Sequence, residues 1–70
     1  MMPLALADAG KENIIKKVGG NAEVRQHLKE LGFVEGSTVT VITALNGNVI
    51  VKVKESRIAI SDEMARKIMI

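Results

Sequence analysis

Two alternating segments joined by an Asn-Gly dipeptide limit the fold of this chain more than any other sequence feature. β-branched residues dominate residues 37–45, where polar and apolar side chains alternate, and valines recur at every second position of residues 48–54. Asn46-Gly47 between them accepts positive φ at both central positions of a type I′ turn, the shortest hairpin connection. The pattern therefore predicts a β-hairpin with one dry face and one solvated face.

A helix is predicted over residues 21–31. Asn21 can cap the free amides of the first turn, Glu23 lies at the positive end of the helix dipole, and Gly32 supplies a C-terminal stop. Apolar residues at i, i+4 and i+7 form one face, which must pack on the sheet. These residues are Val24, Leu28 and Leu31.

The rest of the chain adds short strands and a helical turn. Residues 12–18 are rich in β-branched side chains and stop at a Gly-Gly pair, so they predict a first strand. Residues 57–60 predict a further strand, and residues 68–70 predict a closing strand because the chain stays apolar there. Ser61 can cap a helical turn over residues 62–67.

Together these elements predict a mainly β fold with one main α-helix. The expected architecture is a small SH3-like β-barrel of about five strands with a short C-terminal helical turn. Residues 1–10 predict a short tucked segment or a single helical turn. The predicted core consists of the apolar positions that share a face under helical or strand periodicity. These are Val24, Leu28, Leu31, Val39, Val41, Val49, Val51 and Ile60.

Length and composition favour one domain without covalent cross-links. The chain has 70 residues, no cysteine and 47% hydrophobic residues. A chain of this length holds one core, so residues 1–70 are predicted to form a single domain stabilised by packing. No apolar run reaches the roughly 18 residues of a membrane-spanning helix, and we expect a cytoplasmic protein. The net charge of +2 is dispersed along the chain, which is typical of a solvated surface.

Residues 24–39 read VRQHLKELGFVEGSTV and fit the pattern RxxLxxLGhxxGxxV, in which h is apolar. The Asn-Gly hairpin, the IAI run of residues 58–60 and an AxxI spacing from Ala65 to Ile68 follow it. This arrangement resembles the FeoA family of small ferrous iron transport accessory proteins, and the resemblance covers essentially the whole chain. Many members have proline where this chain has Glu35, so its turn is expected to be less rigid.

The resemblance implies a cytoplasmic partner of the membrane ferrous iron transporter FeoB that acts on or near its GTPase portion. The SH3-like fold is also similar to the C-terminal domain of iron-dependent regulators of the DtxR type. The chain has no helix-turn-helix, so a complete regulator is not expected. A metal-binding or metal-sensing domain of that type is the alternative function.

Apolar residues that so small a domain is unable to bury completely are candidates for partner contact. We assign Phe33, Val34 and Met64 to this group, with Arg25 and Arg57 as charged residues at the rim. The alternative is that the apolar residues belong to the core and the arginines are simply solvated. Weak self-association is also left open.

The single histidine of the chain has carboxylates at helical spacing. Glu23 precedes His27 by four residues, and Glu30 follows it by three. Imidazole with two carboxylates can hold a transition metal, especially when a second chain completes the shell. A partly buried, hydrogen-bonded histidine is the commoner outcome beside an apolar face, so a native metal site is not favoured and no cofactor is expected.

Neither catalysis nor nucleic-acid binding is expected. The chain lacks cysteine, a GxSxG motif and a glycine-rich loop followed by lysine. Small barrels that bind RNA usually stack bases on aromatic side chains, and Phe33 is the only aromatic residue here. We therefore expect a binding module rather than an enzyme, with a small RNA-binding barrel as the less favoured alternative.

Overall fold

The computed structural model describes residues 1–70 and contains two antiparallel sheets and two α-helices. Four strands form the larger sheet in the order β1-β3-β4-β5: β1 (Glu12–Ile14), β3 (Thr38–Leu45), β4 (Asn48–Val53) and β5 (Ser56–Ser61). Two short strands form the smaller sheet: β2 (Lys17–Val18) and β6 (Ile68–Met69). The helices are α1 (Ala22–Leu31) and α2 (Asp62–Ala65), and a 3₁₀ turn covers Leu4–Leu6.

The predicted hairpin lies at the centre of the larger sheet. β3 and β4 pair with valines opposite valines on the inner face, and the register shifts between Val41 and Thr43. Asn46 and Gly47 have φ angles of 51° and 79°. Both are positive, as a type I′ turn requires, so the sequence prediction of this hairpin is confirmed.

Helix α1 begins and ends where its capping residues predict. Asn21 Oδ1 accepts a hydrogen bond of 2.8 Å from the Val24 N–H. Gly32 ends the helix with a φ of 107°, a left-handed conformation that glycine adopts without a Cβ penalty. Its N–H donates to the carbonyls of Leu28 and Lys29, which satisfies acceptors that a helix end otherwise leaves free.

One cluster of 13 buried apolar residues forms the core, and no polar side chain is buried. Six of the eight predicted core residues belong to it: Leu28, Val39, Val41, Val49, Val51 and Ile60. Val24 and Leu31 are only half-buried, because they pack against the cluster from its margin. The core also contains seven residues outside the predicted set: Leu4, Ile15, Phe33, Val53, Ala65, Ile68 and Ile70.

The single strand predicted over residues 12–18 is wrong, because the chain passes from one sheet to the other within it. β1 pairs with β3, whereas β2 pairs with β6. At the change of sheet the Ile15 N–H donates to the Ser37 carbonyl at 2.9 Å, and the Ile15 carbonyl accepts from the Gly36 N–H at 2.8 Å. Ile14 is 51% exposed and Ile15 is 1% exposed, so only the second isoleucine reaches the core.

The two ends of the chain complete the smaller sheet. Met2 and Ile70 exchange backbone hydrogen bonds of 3.0 and 2.8 Å, and Pro3 forms a bridge with Met69. The predicted closing strand is therefore present as β6. A mainly β fold with one main helix is confirmed, but six strands in two sheets take the place of a closed five-stranded barrel. Neither helix has the length and apolar character that a membrane span needs.

Candidate partner-binding groove

An open groove of about 350 Å³ lies between α1 and β2. Its lining consists of Val18, Arg25, Lys29, Phe33, Val34 and Glu35. We call this surface the helix groove. It combines three apolar residues with three charged residues, and protein-binding surfaces likewise combine an apolar centre with a polar rim.

The floor of the helix groove is built by the chain reversal that follows α1. Gly32 turns the chain, and the Phe33 N–H then donates to the Leu28 carbonyl at 2.9 Å. Phe33 is 1% exposed and belongs to the core, so its predicted exposure is wrong. Val18 and Val34 are half-buried beside it. Phe33 therefore shapes the groove from below, while the two valines offer the apolar surface that a partner can reach.

The rim of the helix groove is cationic. Arg25 and Lys29 are four residues apart on α1 and therefore share one face of the helix. Glu35 lines the same groove but forms no salt bridge with either side chain; the one salt bridge of the structure joins Arg66 to Asp62. Both cations are thus free to pair with carboxylates of a bound molecule.

Two of the predicted partner-binding residues lie outside this groove. Arg57 is exposed on β5, opposite Lys52 of β4. Met64 is half-buried in α2 and packs against the core. The structure therefore brings together Arg25, Phe33 and Val34 and separates Arg57 and Met64 from them. Partner binding by these residues stays a prediction.

Sequence reasoning did not include Val18, Lys29 and Glu35 in the site. The spacing of four residues between Arg25 and Lys29 was a signal that could have added the lysine. Val18 had no such signal, because its place beside α1 depends on the pairing of β2 with β6.

Within one chain the candidate metal ligands do not come together. Glu23, His27 and Glu30 are all exposed on α1, and no group of three or more His, Asp or Glu side chains has metal-binding geometry. Glu30 instead accepts a hydrogen bond of 3.3 Å from Gln26 Nε2. The seven-residue separation of the two glutamates places them about 10 Å apart along the helix axis. His27 forms no side-chain hydrogen bond, so the partly buried histidine expected here is wrong as well.

The FeoA domain family model matches residues 2–70 of this chain. Fe(2+) transport protein A of Methanocaldococcus jannaschii is 43% identical over 70 residues, which cover 100% of this chain and 85% of that protein. The chain belongs to the FeoA family. The resemblance inferred from the spacing of residues 24–39 is thereby confirmed.

Solved structures show the same backbone arrangement. Stenotrophomonas maltophilia FeoA in complex with zinc, described as a prokaryotic SH3 domain protein, has a TM-score of 0.85 at 23% identity. That match covers 99% of this chain and 88% of the other. A manganese-dependent transcriptional repressor has a TM-score of 0.86 at 13% identity, covering 94% of this chain and 38% of the repressor. The SH3-like fold is therefore confirmed, and the chain also shares its backbone arrangement with part of a metal-dependent repressor.

Proposed function

We propose that this domain is an accessory protein of ferrous iron uptake that binds the cytoplasmic part of the membrane transporter FeoB through the helix groove. Family membership and the likeness to an Fe(2+) transport protein support the link to iron uptake. The observation that carries the binding role is the groove itself, in which the half-buried Val18 and Val34 lie beside the free cations of Arg25 and Lys29.

The chemistry of the helix groove defines what the transporter must present. An apolar side chain would cover the two valines, and an adjacent carboxylate would pair with Arg25 or Lys29. A standard interface of about 800 Å² per partner would take nearly a fifth of the 4444 Å² surface of the domain. Because a groove of about 350 Å³ accepts only one or two side chains, we expect a modest, readily reversible affinity.

Binding without catalysis is part of this proposal. A nucleophile needs an adjacent base within hydrogen-bond reach. The single histidine, His27, is exposed and hydrogen-bonds to no other side chain, so it is not placed as a base beside any serine or threonine hydroxyl. The purified domain is therefore expected to release no phosphate from GTP or ATP above the buffer rate.

The test is an NMR titration of the labelled domain with the soluble cytoplasmic domain of FeoB in each nucleotide state. We expect shift changes at the amides of residues 25–35 and of Val18. Arg25→Glu and Val34→Asp should each weaken binding by more than about fivefold, the effect expected when an interface anchor is lost. Phe33 is unsuitable for this test, because a charge at a fully buried position would unfold the domain.

Arg57→Glu is the matched control, because it makes the same charge change on β5, outside the helix groove, and it also tests the assignment of Arg57 to the binding rim that was made from the sequence. It should bind as the unchanged domain does. Equal loss in the Arg25 and Arg57 variants would show that net charge rather than the groove drives association. If the transporter domain causes no shift changes in any of its nucleotide states, the proposed role is refuted.

A further inference from the structure

The outer face of the larger sheet carries a row of polar and charged residues set by strand register. Glu12 stands opposite Thr40, Thr40 opposite Lys52, and Lys52 opposite Arg57, so the row crosses all four strands. The row faces away from the core, because the valines that alternate with it along the strands are buried. Lys52 and Arg57 are therefore cross-strand neighbours of like charge, an arrangement that disfavours the sheet by itself.

No acidic side chain neutralises these cations. The one salt bridge of the structure joins Arg66 to Asp62, and Lys52, Lys54 and Arg57 have no ion-pair partner. Glu12, the nearest acid in the row, is separated from Lys52 by Thr40. The outer face therefore carries exposed positive charge that no acidic side chain of the domain pairs with.

A second groove, of about 460 Å³, lies on this face and has no hydrophobic residue in its lining. We call it the sheet groove. Lys52 and Lys54 supply two ammonium groups, and Ser37, Thr38 and Thr40 supply three hydroxyls, with Glu12 beside them. Ammonium groups and hydroxyls are the donors that proteins offer to phosphate oxygens. The lining differs from that of an ordinary small-molecule pocket, which is mostly apolar.

Lys54 occupies a backbone conformation that its own residue type disfavours. Its φ of 56° lies in the left-handed region, where glycine or asparagine would be relaxed. Its Cδ lies 3.8 Å from the position that a Cβ would take on Gly32, so its stem runs beside the end of α1 while the residue lines the sheet groove. This positive φ belongs to the two-residue turn that joins Val53 of β4 to Ser56 of β5, and the turn places Lys54 in the lining of the sheet groove.

We propose that the sheet groove binds the phosphate group of a small hydroxylated phosphate ester. Lys52 and Lys54 neutralise the phosphate, the threonine hydroxyls donate to its oxygens, and Glu12 accepts from hydroxyl groups of the ester. The negative charge of Glu12 would repel further phosphate groups, so a ligand with several successive phosphates is disfavoured. Base stacking has no support on this face either, because the only aromatic residue, Phe33, lies in the core. Glycerol phosphate has this chemistry, both as a free metabolite and as a lipid headgroup.

The experiment is an NMR titration of the labelled domain with glycerol 3-phosphate and, in a second arm, flotation with vesicles of phosphatidylglycerol against phosphatidylcholine. We expect saturable chemical-shift changes at Thr38, Thr40 and Lys52 with glycerol 3-phosphate, or flotation with phosphatidylglycerol vesicles only. A response in the first arm identifies the ligand as a free phosphate ester, and a response in the second arm identifies it as a lipid headgroup. The double variant Lys52→Gln and Lys54→Gln should weaken binding at least about tenfold, as expected for lost hydrogen bonds to a charged group.

Two control variants separate a directed site from general attraction. Lys16→Gln with Lys17→Gln removes the same charge outside the groove and should leave binding unchanged. Thr38→Val with Thr40→Val keeps the charge and the β-branched shape, and should weaken phosphate-ester binding severalfold. Equal loss in both lysine pairs, retention of binding in the valine variant, or no response to either probe would overturn the proposal. Tighter binding to single-stranded RNA than to either probe would overturn it in favour of a nucleic-acid surface.

Discussion

The tip of the β3–β4 hairpin is regular but exposed, whereas the ladder of β2 with β6, which we call the terminal ladder, is short but contributes to the core. The tip, residues 43–48, has a regular antiparallel register around a tight turn, yet every residue in it is exposed. The terminal ladder has two residues in each strand, yet Ile68 within it is fully buried. Regular local pairing and contribution to the core are therefore separate properties in this domain.

The difference follows from how each region closes. The hairpin tip joins residues that are adjacent in sequence, so its closure costs little entropy and needs little burial to persist. The terminal ladder pairs Lys17 with Met69 across most of the chain, and such a closure must be offset by apolar burial. Ile15, Ile68 and Ile70, which lie in or next to the ladder, supply that burial.

The largest expected effect comes from truncating the buried residue of the ladder. Ile68→Ala should lower the free energy of unfolding by about 2–5 kcal/mol, because Ile68 is fully buried and the surrounding core collapses only partly around the cavity. Leu45→Ala at the hairpin tip should change it by less than about 0.5 kcal/mol, since Leu45 is 64% exposed. Urea unfolding followed by circular dichroism measures both. Equal costs would contradict the comparison.

The sequence identified the hairpin and α1 correctly because their signals are local. Asn46-Gly47 specifies a turn by its own φ preferences, and Asn21 with Gly32 specifies both ends of a helix. The change of sheet after Ile14 has no local turn signal. The only sequence feature that indicates this change is the pair of adjacent isoleucines, Ile14 and Ile15. Neighbouring residues of a strand point to opposite faces, so a strand with one buried face is unable to bury both. The terminal ladder depends on long-range packing, which no short window of sequence contains.

A second, smaller effect tests whether the hairpin tip is held by backbone conformation rather than by packing. Gly47→Ala should cost about 1–2 kcal/mol, because its φ of 79° is unfavourable for a residue with a Cβ. A Cβ there would meet nothing within 4 Å, so the cost contains no steric clash. Gly47→Asn is the control and should cost less, since asparagine tolerates positive φ. If both variants matched the unchanged domain in urea, the turn would not constrain the tip.

A third prediction concerns the residue that joins the two regions. Ser61 pairs with Asn48 of the hairpin tip and also caps α2, where its Oγ accepts a hydrogen bond of 3.1 Å from the Met64 N–H. Ser61→Ala should therefore cost about 1 kcal/mol in urea unfolding. Ser61→Asp restores an acceptor at the cap and should recover most of the loss. A cost for Ser61→Asp as large as for Ser61→Ala would show that the cap contributes nothing.

The candidate site was only partly predictable for a related reason. Arg25, Phe33 and Val34 lie within one continuous motif, so their grouping follows from the turn at Gly32. The exposure expected for Phe33 is wrong because a single sequence does not show how much of this side chain a core this small can cover. Lys52 and Lys54 belong to the solvated face that the alternation of residues 48–54 predicts, and this alternation alone does not indicate a groove. Their shared groove became visible only when strand order placed β4 between β3 and β5.

The smallest expected effect lies in α2, which leads into the terminal ladder. Arg66 Nε donates to Asp62 Oδ2 at 2.7 Å, and this hydrogen bond, together with the carboxylate charge, raises the pKa of Arg66. A raised pKa on a base favours folding at every pH below its ordinary value, and this contribution is lost only as the pH rises through the folded-state pKa. The pair therefore confers no pH dependence near neutrality.

Both side chains are largely exposed, so water and salt screen the attraction. Arg66→Gln should leave the urea midpoint unchanged within error at low and at high salt. A clear loss of stability at low salt that disappears at high salt would show instead that charge attraction in α2 helps to hold the terminal ladder in place.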